Sequence, residues 1–253
     1  MSKIGLKLWN INTGNYLREA EKLYKLGLYD YIELYIVPNN TDKINLWKNL
    51  NVPFNLHAPH FEHGMNLSQK ECFENNLKLY KEVKSYADVL NPEYIIFHAG
   101  TDGDYRETAR QITYINDQRT VIENKPYKTL PFIKGNYYVG GKIPEIKHII
   151  DTANCKFCLD IGHAISAANA LGVEPYTYVE EFNKLNPIVY HISDLDTKSD
   201  MDAHLNYGTG NLDFHKIFRI ISSNKFITIE TNKKSKDNLD NFVSDVKFLK
   251  EYL

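Results

Sequence analysis

Cysteine is scarce in this chain of 253 residues: there are three, an odd number that argues against a disulfide framework. Two of them form the pair Cys155-x-x-Cys158. No second CxxC accompanies it, and the pair leads into an apolar run instead of opening a helix, which favours small buried thiols over half a zinc site or a redox pair. Arginine is also sparse, with five residues, and Arg106 and Arg110 fall on a helical surface pattern. Neither sign of charge dominates. A net charge of −2 gives no global attraction to nucleic acid or an anionic membrane, so DNA binding would need a local basic or neutral face. No apolar run approaches the roughly 18 residues of a membrane-spanning helix. The opening MSKIGLKLW enters a strand pattern and has no signal-peptide core, so a cytoplasmic location and no membrane partner are expected.

What is present is the composition of an ordinary globular domain, 43% hydrophobic and 25% charged. The length suits one large domain, residues 1–253, with a substantial core. Eight short apolar runs read as strands: Ile4–Leu8, Tyr31–Ile36, Phe54–Ala58, Tyr94–His98, Thr120–Glu123, Lys156–Asp160, Val189–Ser193 and Phe226–Glu230. Amphipathic stretches separate them, namely Asn15–Leu26, Gln69–Leu90, Tyr105–Asp117, Ile143–Ala153, Tyr176–Asn186 and Asp213–Ser222, with Asp237–Tyr252 last. Strands alternating with helices imply parallel βαβ units. Eight such units in about 250 residues predict a (β/α)8 TIM barrel. An open doubly wound sheet is the alternative, but it would not readily bring side chains from strands three to eight to one point. Asn124–Gly141, with Pro, Lys and paired Gly, reads as one long loop over the active face.

The informative pattern lies at the ends of those runs. His57, His98, Glu123, Asp160, His163, His191, Asp202, His204 and Glu230 each stand at or just past the tip of an apolar run. One carboxylate or imidazole in that place is most often a hydrogen-bonded cap. Repetition on strand after strand describes a barrel mouth that gathers metal ligands. Imidazole with carboxylate suits zinc, manganese or iron better than calcium. Nine ligands exceed the three or four of one tetrahedral zinc and would suit three ions with a bridging carboxylate. Asp160 and His163 are three apart across a strand end, and Asp202-Ala-His204 would present two ligands on one face if extended.

The ordered set, with LDIGHA and DAHLNYGTGNLDF as its most specific pieces, resembles endonuclease IV, the abasic-site endonuclease family of the xylose-isomerase-like TIM barrels. The resemblance implies three divalent ions, most naturally zinc, with manganese or iron as alternatives. His57, His98 and Glu123 would hold the first, with Glu123 bridging to a second completed by Asp160, His191 and Glu230. His163, Asp202 and His204 would hold the third. It further implies cleavage of damaged double-stranded DNA 5′ to abasic sites, with Glu230 and Glu123 catalytic and Glu230 orienting or deprotonating water. Gly208 and Gly210 would let backbone approach a phosphate, or simply make a tight turn. A monomer with no obligate protein partner is expected.

The chain departs from that family outside the ligands. Lys7, Trp9 and Asn10 stand where the family carries a first-strand His. IVPNNTDK after the second strand lacks its Arg, and His60 and Phe61 replace its wedge residues. Asn39, His60, Phe61 and His63 are the candidates for DNA contact. One rival is a sugar or sugar-phosphate isomerase or epimerase holding a single ion with Glu123, Asp160, His191 and Glu230. The other is a non-catalytic ligand-binding descendant, which the retained ligands disfavour because burying them without metal is costly.

Overall fold

A computed structural model describes residues 2–129 and 135–252. Eight parallel strands close a barrel: β1 (Lys3–Trp9), β2 (Tyr31–Tyr35), β3 (Phe54–His57), β4 (Ile95–His98), β5 (Thr120–Glu123), β6 (Lys156–Asp160), β7 (Val189–Ile192) and β8 (Phe226–Ile229). Each pairs with its neighbours in chain order, and β8 returns to β1. All eight expected strands are present, their ends shifted by no more than a residue or so. The predicted TIM barrel is the fold.

The helices form the outer ring: α1 (Asn15–Lys25), α2 (Ile44–Lys48), α3 (Phe73–Leu90), α4 (Tyr105–Ile115), α5 (Ile143–Ala153), α6 (Ile161–Leu171), α7 (Pro175–Asn183), α8 (Phe214–Ile220) and α9 (Asp240–Leu249). Helix α6 was not expected. Its sequence, IGHAISAANAL, is buried along its first eight residues, so it lacks the polar face that makes a helix visible by period. It begins where β6 ends, because Asp160 serves as its N-cap and accepts the His163 N–H at 2.8 Å. The loop 124–141 is not structureless. Tyr138–Val139 pairs antiparallel with Gly100–Thr101, and residues 130–134 lie outside the described residues.

Inward positions recur every second residue, so each strand fills the barrel in layers. Tyr31, Tyr94, Ile96, Val121, Cys158 and Val189 plug the lower end. A larger apolar cluster lies between strands and helices and includes Trp47, Phe97, Phe157 and Phe242. The ligand candidates sit above the plug. Cys155 and Cys158 are free thiols, Cys158 fully buried, as the scarcity of cysteine led us to expect. No helix among the described residues is long and apolar enough to cross a membrane.

Trp47 is a useful probe of this packing. It is fully buried, and its Nε1 donates to the Asn10 carbonyl at 2.9 Å, next to the mouth of β1. Trp47→Ala should cost about 3–5 kcal/mol, read as a lower denaturant midpoint at unchanged slope.

Candidate metal centre

His57, His98, Glu123 and Asp160 are the last residues of β3, β4, β5 and β6, and Glu230 directly follows β8. The register sets His98 beside Glu123 and Asp160 beside His191. Period-two alternation then turns all of them inward at one level. Glu123 is the hub. Its Oε2 lies 3.3 Å from His57 Nε2 and 3.4 Å from His191 Nδ1. Its Oε1 lies 3.2 Å from His98 Nε2 and 3.0 Å from His163 Nδ1. Glu230 reaches the centre through Oε2, 2.6 Å from His191 Nδ1.

Several tautomers follow from the partners. A carbonyl oxygen only accepts, so His57 donates from Nδ1 to Ala58 O at 2.8 Å and keeps its Nε2 lone pair for the centre. His163 donates from Nδ1 to Asn124 O at 3.0 Å, which leaves Nε2 as its lone pair. His191 donates from Nε2 to the carboxylate of Glu33 at 3.0 Å and turns Nδ1 toward Glu230. Among the described residues, one donor atom from each member lies within 4.8 Å of the others in His57–His98–Glu123, Asp160–His191–Glu230 and His163–Asp202–His204, and equally in Glu123–Asp160–His163 and Glu123–Cys158–His191.

These donors fit divalent metal. Both ring nitrogens of His98, together with Glu123 Oε2, His191 Nδ1, Asp202 Oδ2, His204 Nδ1 and Glu230 Oε2, are buried and make no hydrogen bond of ordinary geometry, although several approach one another as ion pairs. Buried polar atoms normally make such a bond, and imidazole with carboxylate is a hard-to-borderline donor set. The titration behaviour agrees. Asp160 is pushed well above the usual carboxylate range by burial and by its neighbours Asp202, Glu123 and Glu230. His98 is held well below its ordinary value by burial and by Lys125. Burial would raise Glu123 too, but His98, His191 and Lys125 outweigh it and hold it far below.

The Asp202–His204 segment is not extended as the shared-face expectation required. His204 has φ +46°, its N–H donates to Asp202 Oδ1 at 3.0 Å, and the loop turns tightly. Room for the Asp202 carboxylate comes from Gly162 in α6, where any Cβ would collide with Asp202 Oδ2. The turn after it is tied down by two acids that the sequence did not single out. Asp194 accepts the N–H groups of Leu195, Gly210 and Leu212. Asp245, from α9, accepts from Asn206, Tyr207 and Thr231. Gly210 thus has a packing reason, since a Cβ there would meet Asp194 and Leu195 O.

The residue most clearly missed is Glu33, in the middle of β2. It is fully buried and accepts from Lys7 Nζ at 2.7 Å, Tyr94 Oη at 2.8 Å and Thr228 Oγ1 at 2.9 Å, besides His191. Burial would raise its pKa, yet His191 and Lys7 pull it down to about 2. Lys7 also lies 3.2 Å from Glu230 Oε1. The signal was a Glu and a Lys at the centres of consecutive apolar strands, where a charge must be paired.

The centre opens into a cavity of about 700 Å³. Four lysines line it, Lys7, Lys125, Lys233 and Lys236, and burial brings Lys233 down to about 8. His60 lies on the wall, its ring stacked at 5.6 Å on His98. Phe61 faces a neighbouring cavity and packs on Tyr138, and His63 is bonded through Nδ1 to Tyr35 Oη at 2.7 Å. Asn39 is exposed, its N–H on Glu82, and does not line the cavity.

Comparison with known proteins bears on the fold. A family profile described as xylose isomerase-like TIM barrel matches residues 20–252. An uncharacterised protein of Methanocaldococcus jannaschii is 23% identical over 245 residues, 91% of this chain and 89% of its own length. A crystal structure of a D-tagatose 3-epimerase-like protein is similar with a TM-score of 0.70 at 19% identity, covering 99% of this chain and 96% of the other. Endonuclease IV from Thermus thermophilus is similar with a TM-score of 0.68 at 16% identity, covering 99% of this chain and 98% of the other. At such identities the two structures report the fold alone.

Removing one partner of the buried Lys7–Glu33 pair should be costly where removing both is not. Glu33→Ala is expected to lose roughly 3–5 kcal/mol of stability, and the double change Lys7→Met with Glu33→Gln to lose much less. Urea unfolding of these two proteins and of Lys7→Met alone, beside the wild type, checks this; a loss in the double change equal to the sum of the single losses would show that the pair is not coupled.

Proposed function

The chain belongs to the xylose isomerase-like TIM barrel family, and within it we propose a metal-dependent phosphodiester hydrolase resembling endonuclease IV, acting on DNA 5′ to abasic sites. The observation that carries the reading is Glu123, whose two oxygens face four imidazoles. An isomerase that works with one ion has no need of His57 and His98 on the far side of that carboxylate, nor of a third triad.

His57, His98 and Glu123 would hold one ion, Glu123, Asp160, His191 and Glu230 a second, and His163, Asp202 and His204 a third, zinc being the natural choice for this donor set. When bound, such ions acidify water toward neutrality and neutralise the charge that develops on a phosphate. The protein's own groups complete the chemistry. Glu230, 22% exposed, is more open than His57, His98, Glu123, Asp160 and His191, so its carboxylate can orient water and take its proton at the cavity floor. Lys7 binds the other oxygen of Glu230 and, with His191, holds it well below the usual carboxylate range against the effect of burial, which keeps it ionised. Lys233 and Lys236 on the cavity wall attract an anionic substrate. His60 and Phe61 line the mouth, and with His63, which stands behind them on Tyr35, are the proposed contacts to the strands of a duplex; Asn39 would have to meet it farther out.

A single-ion sugar isomerase or epimerase is the second reading. It is favoured by the four carboxylate and imidazole groups that meet around His191 Nδ1, where Glu123, Asp160 and Glu230 all approach within 3.9 Å.

Purified metal-loaded protein should cleave a duplex with one abasic site and leave the undamaged control intact. Glu230→Gln should reduce that cleavage by about 10²–10⁴-fold while retaining most bound metal, since an amide oxygen can still coordinate. Near-normal turnover in this variant would remove Glu230 from the chemistry. One ion per chain with aldose–ketose or epimer interconversion, and no cleavage, would favour the second reading.

A further inference from the structure

In the third triad an ammonium stands against the ring nitrogen of a histidine, whereas Lys7 meets the second triad at the carboxylate of Glu230. Lys125 Nζ lies 3.1 Å from His163 Nε2 and 3.7 Å from Glu123 Oε1. Because His163 Nδ1 already donates to the Asn124 carbonyl, Nε2 carries the lone pair, and Lys125 donates to it. The lone pair that would bind an ion is thereby engaged. Asp202 Oδ2, 3.9 Å from the same Nε2, and His204 Nδ1 have no hydrogen-bond partner.

Lys125 is built into this place. It is 8% exposed, its N–H donates to Gly140 O at 3.1 Å, and its ammonium lies 5.7 Å from the centre of the Tyr138 ring. The preceding residue, Asn124, is clamped to the end of β6. Its Nδ2 donates to Asp160 O at 2.9 Å, and its Oδ1 accepts the Asp160 N–H at 2.8 Å. The lysine stem therefore starts from a fixed point one residue beyond Asn124 and two beyond Glu123.

We infer that Lys125 is a built-in competitor for the third ion: its ammonium occupies His163, so the chain rests with two divalent ions and admits a third only when Lys125 withdraws. Like charges at this separation in a poorly solvated mouth exclude one another. The smaller cavity of about 280 Å³ is lined by His163, Asp202 and His204 themselves, but Lys125 also lines the main cavity of about 700 Å³, which gives its ammonium room away from the triad. A phosphate entering the mouth is the kind of group that would draw it there. The inference rests on the nine residues being a metal centre, and it is independent of which phosphoester, if any, is cut.

The test counts ions with zinc chloride alone and no substrate. Apo protein, Lys125→Met and Lys125→Gln are loaded, desalted and analysed for zinc, then titrated calorimetrically. Circular dichroism checks that each variant is folded, and Gln, a neutral donor, serves if Met is not tolerated. The wild type should retain two ions per chain and bind a third at least about tenfold more weakly, since the ion meets only the fraction with Lys125 withdrawn. The variants should retain three. Three ions held alike by the wild type, or no gain in a folded variant, overturns the inference. A wild type that retains no zinc overturns the metal reading along with it, whereas failure of a three-ion variant to cleave DNA touches only the proposed function.

Discussion

Burying charge without water is the constraint to which the rest of this barrel answers. Five carboxylates, those of Glu33, Glu123, Asp160, Asp202 and Glu230, meet within one mouth, and the lysines drawn in among them are Lys7 and Lys125. Isolated buried carboxylates are too costly to persist ionised. The molecule deals with the problem unevenly. Glu33 is saturated by Lys7, His191, Tyr94 and Thr228, and sinks to about 2. Asp160 is left among Asp202, Glu123 and Glu230 and rises instead. That surplus of negative charge, together with donor atoms lacking partners, is what divalent cations would relieve.

The saturated carboxylate and the unsaturated centre are joined through one ring. His191 donates its Nε2 N–H to the Glu33 carboxylate and so presents Nδ1 to Glu230 and Asp160. Carboxylates behind ligating histidines commonly fix tautomer and orientation in this way. Lys7 extends the chain of contacts, touching Glu33 on one side and Glu230 on the other. A first-strand residue thereby bears on the group proposed to handle the water proton, although it is not a ligand itself.

Strand order, strand ends and the nine ligand candidates were legible in the sequence because they rest on short-range rules. An apolar run with His, Glu or Asp at or near its tip recurs from the third strand to the eighth, and a parallel barrel leaves one place for such tips to meet. Other features obey different rules. Helix α6 is buried on nearly every side, so it carries no amphipathic period. His204 takes a left-handed backbone that a D-x-H spacing does not announce. Glu33 and Lys7 look like blemishes in apolar strands until the register sets Lys7 beside Glu33. Lys125, two residues past a ligand, reads as part of a loop, and its position against His163 depends on closure of the barrel between β5 and β6.

Fold and site are in places the same atoms. Asp160 ends β6, caps α6 with Oδ1 and turns Oδ2 toward His163 and His191. The cap fixes that carboxylate's rotation, and it also places His163 in the first turn of α6, at the edge of the centre. Gly162, between them, leaves the space that Asp202 fills. A substitution in LDIGH therefore has no purely structural or purely chemical effect, because one set of bonds starts a helix and aims three candidate ligands. Variation is less constrained in the loops that carry His60, Phe61 and Lys125. A shared barrel centre can there acquire a cation, an aromatic wall or a different mouth without disturbing the strand tips. Substrate choice in this chain should accordingly be written in those loops and in the lysines around the cavity, while most of the candidate metal ligands are set by the strand ends.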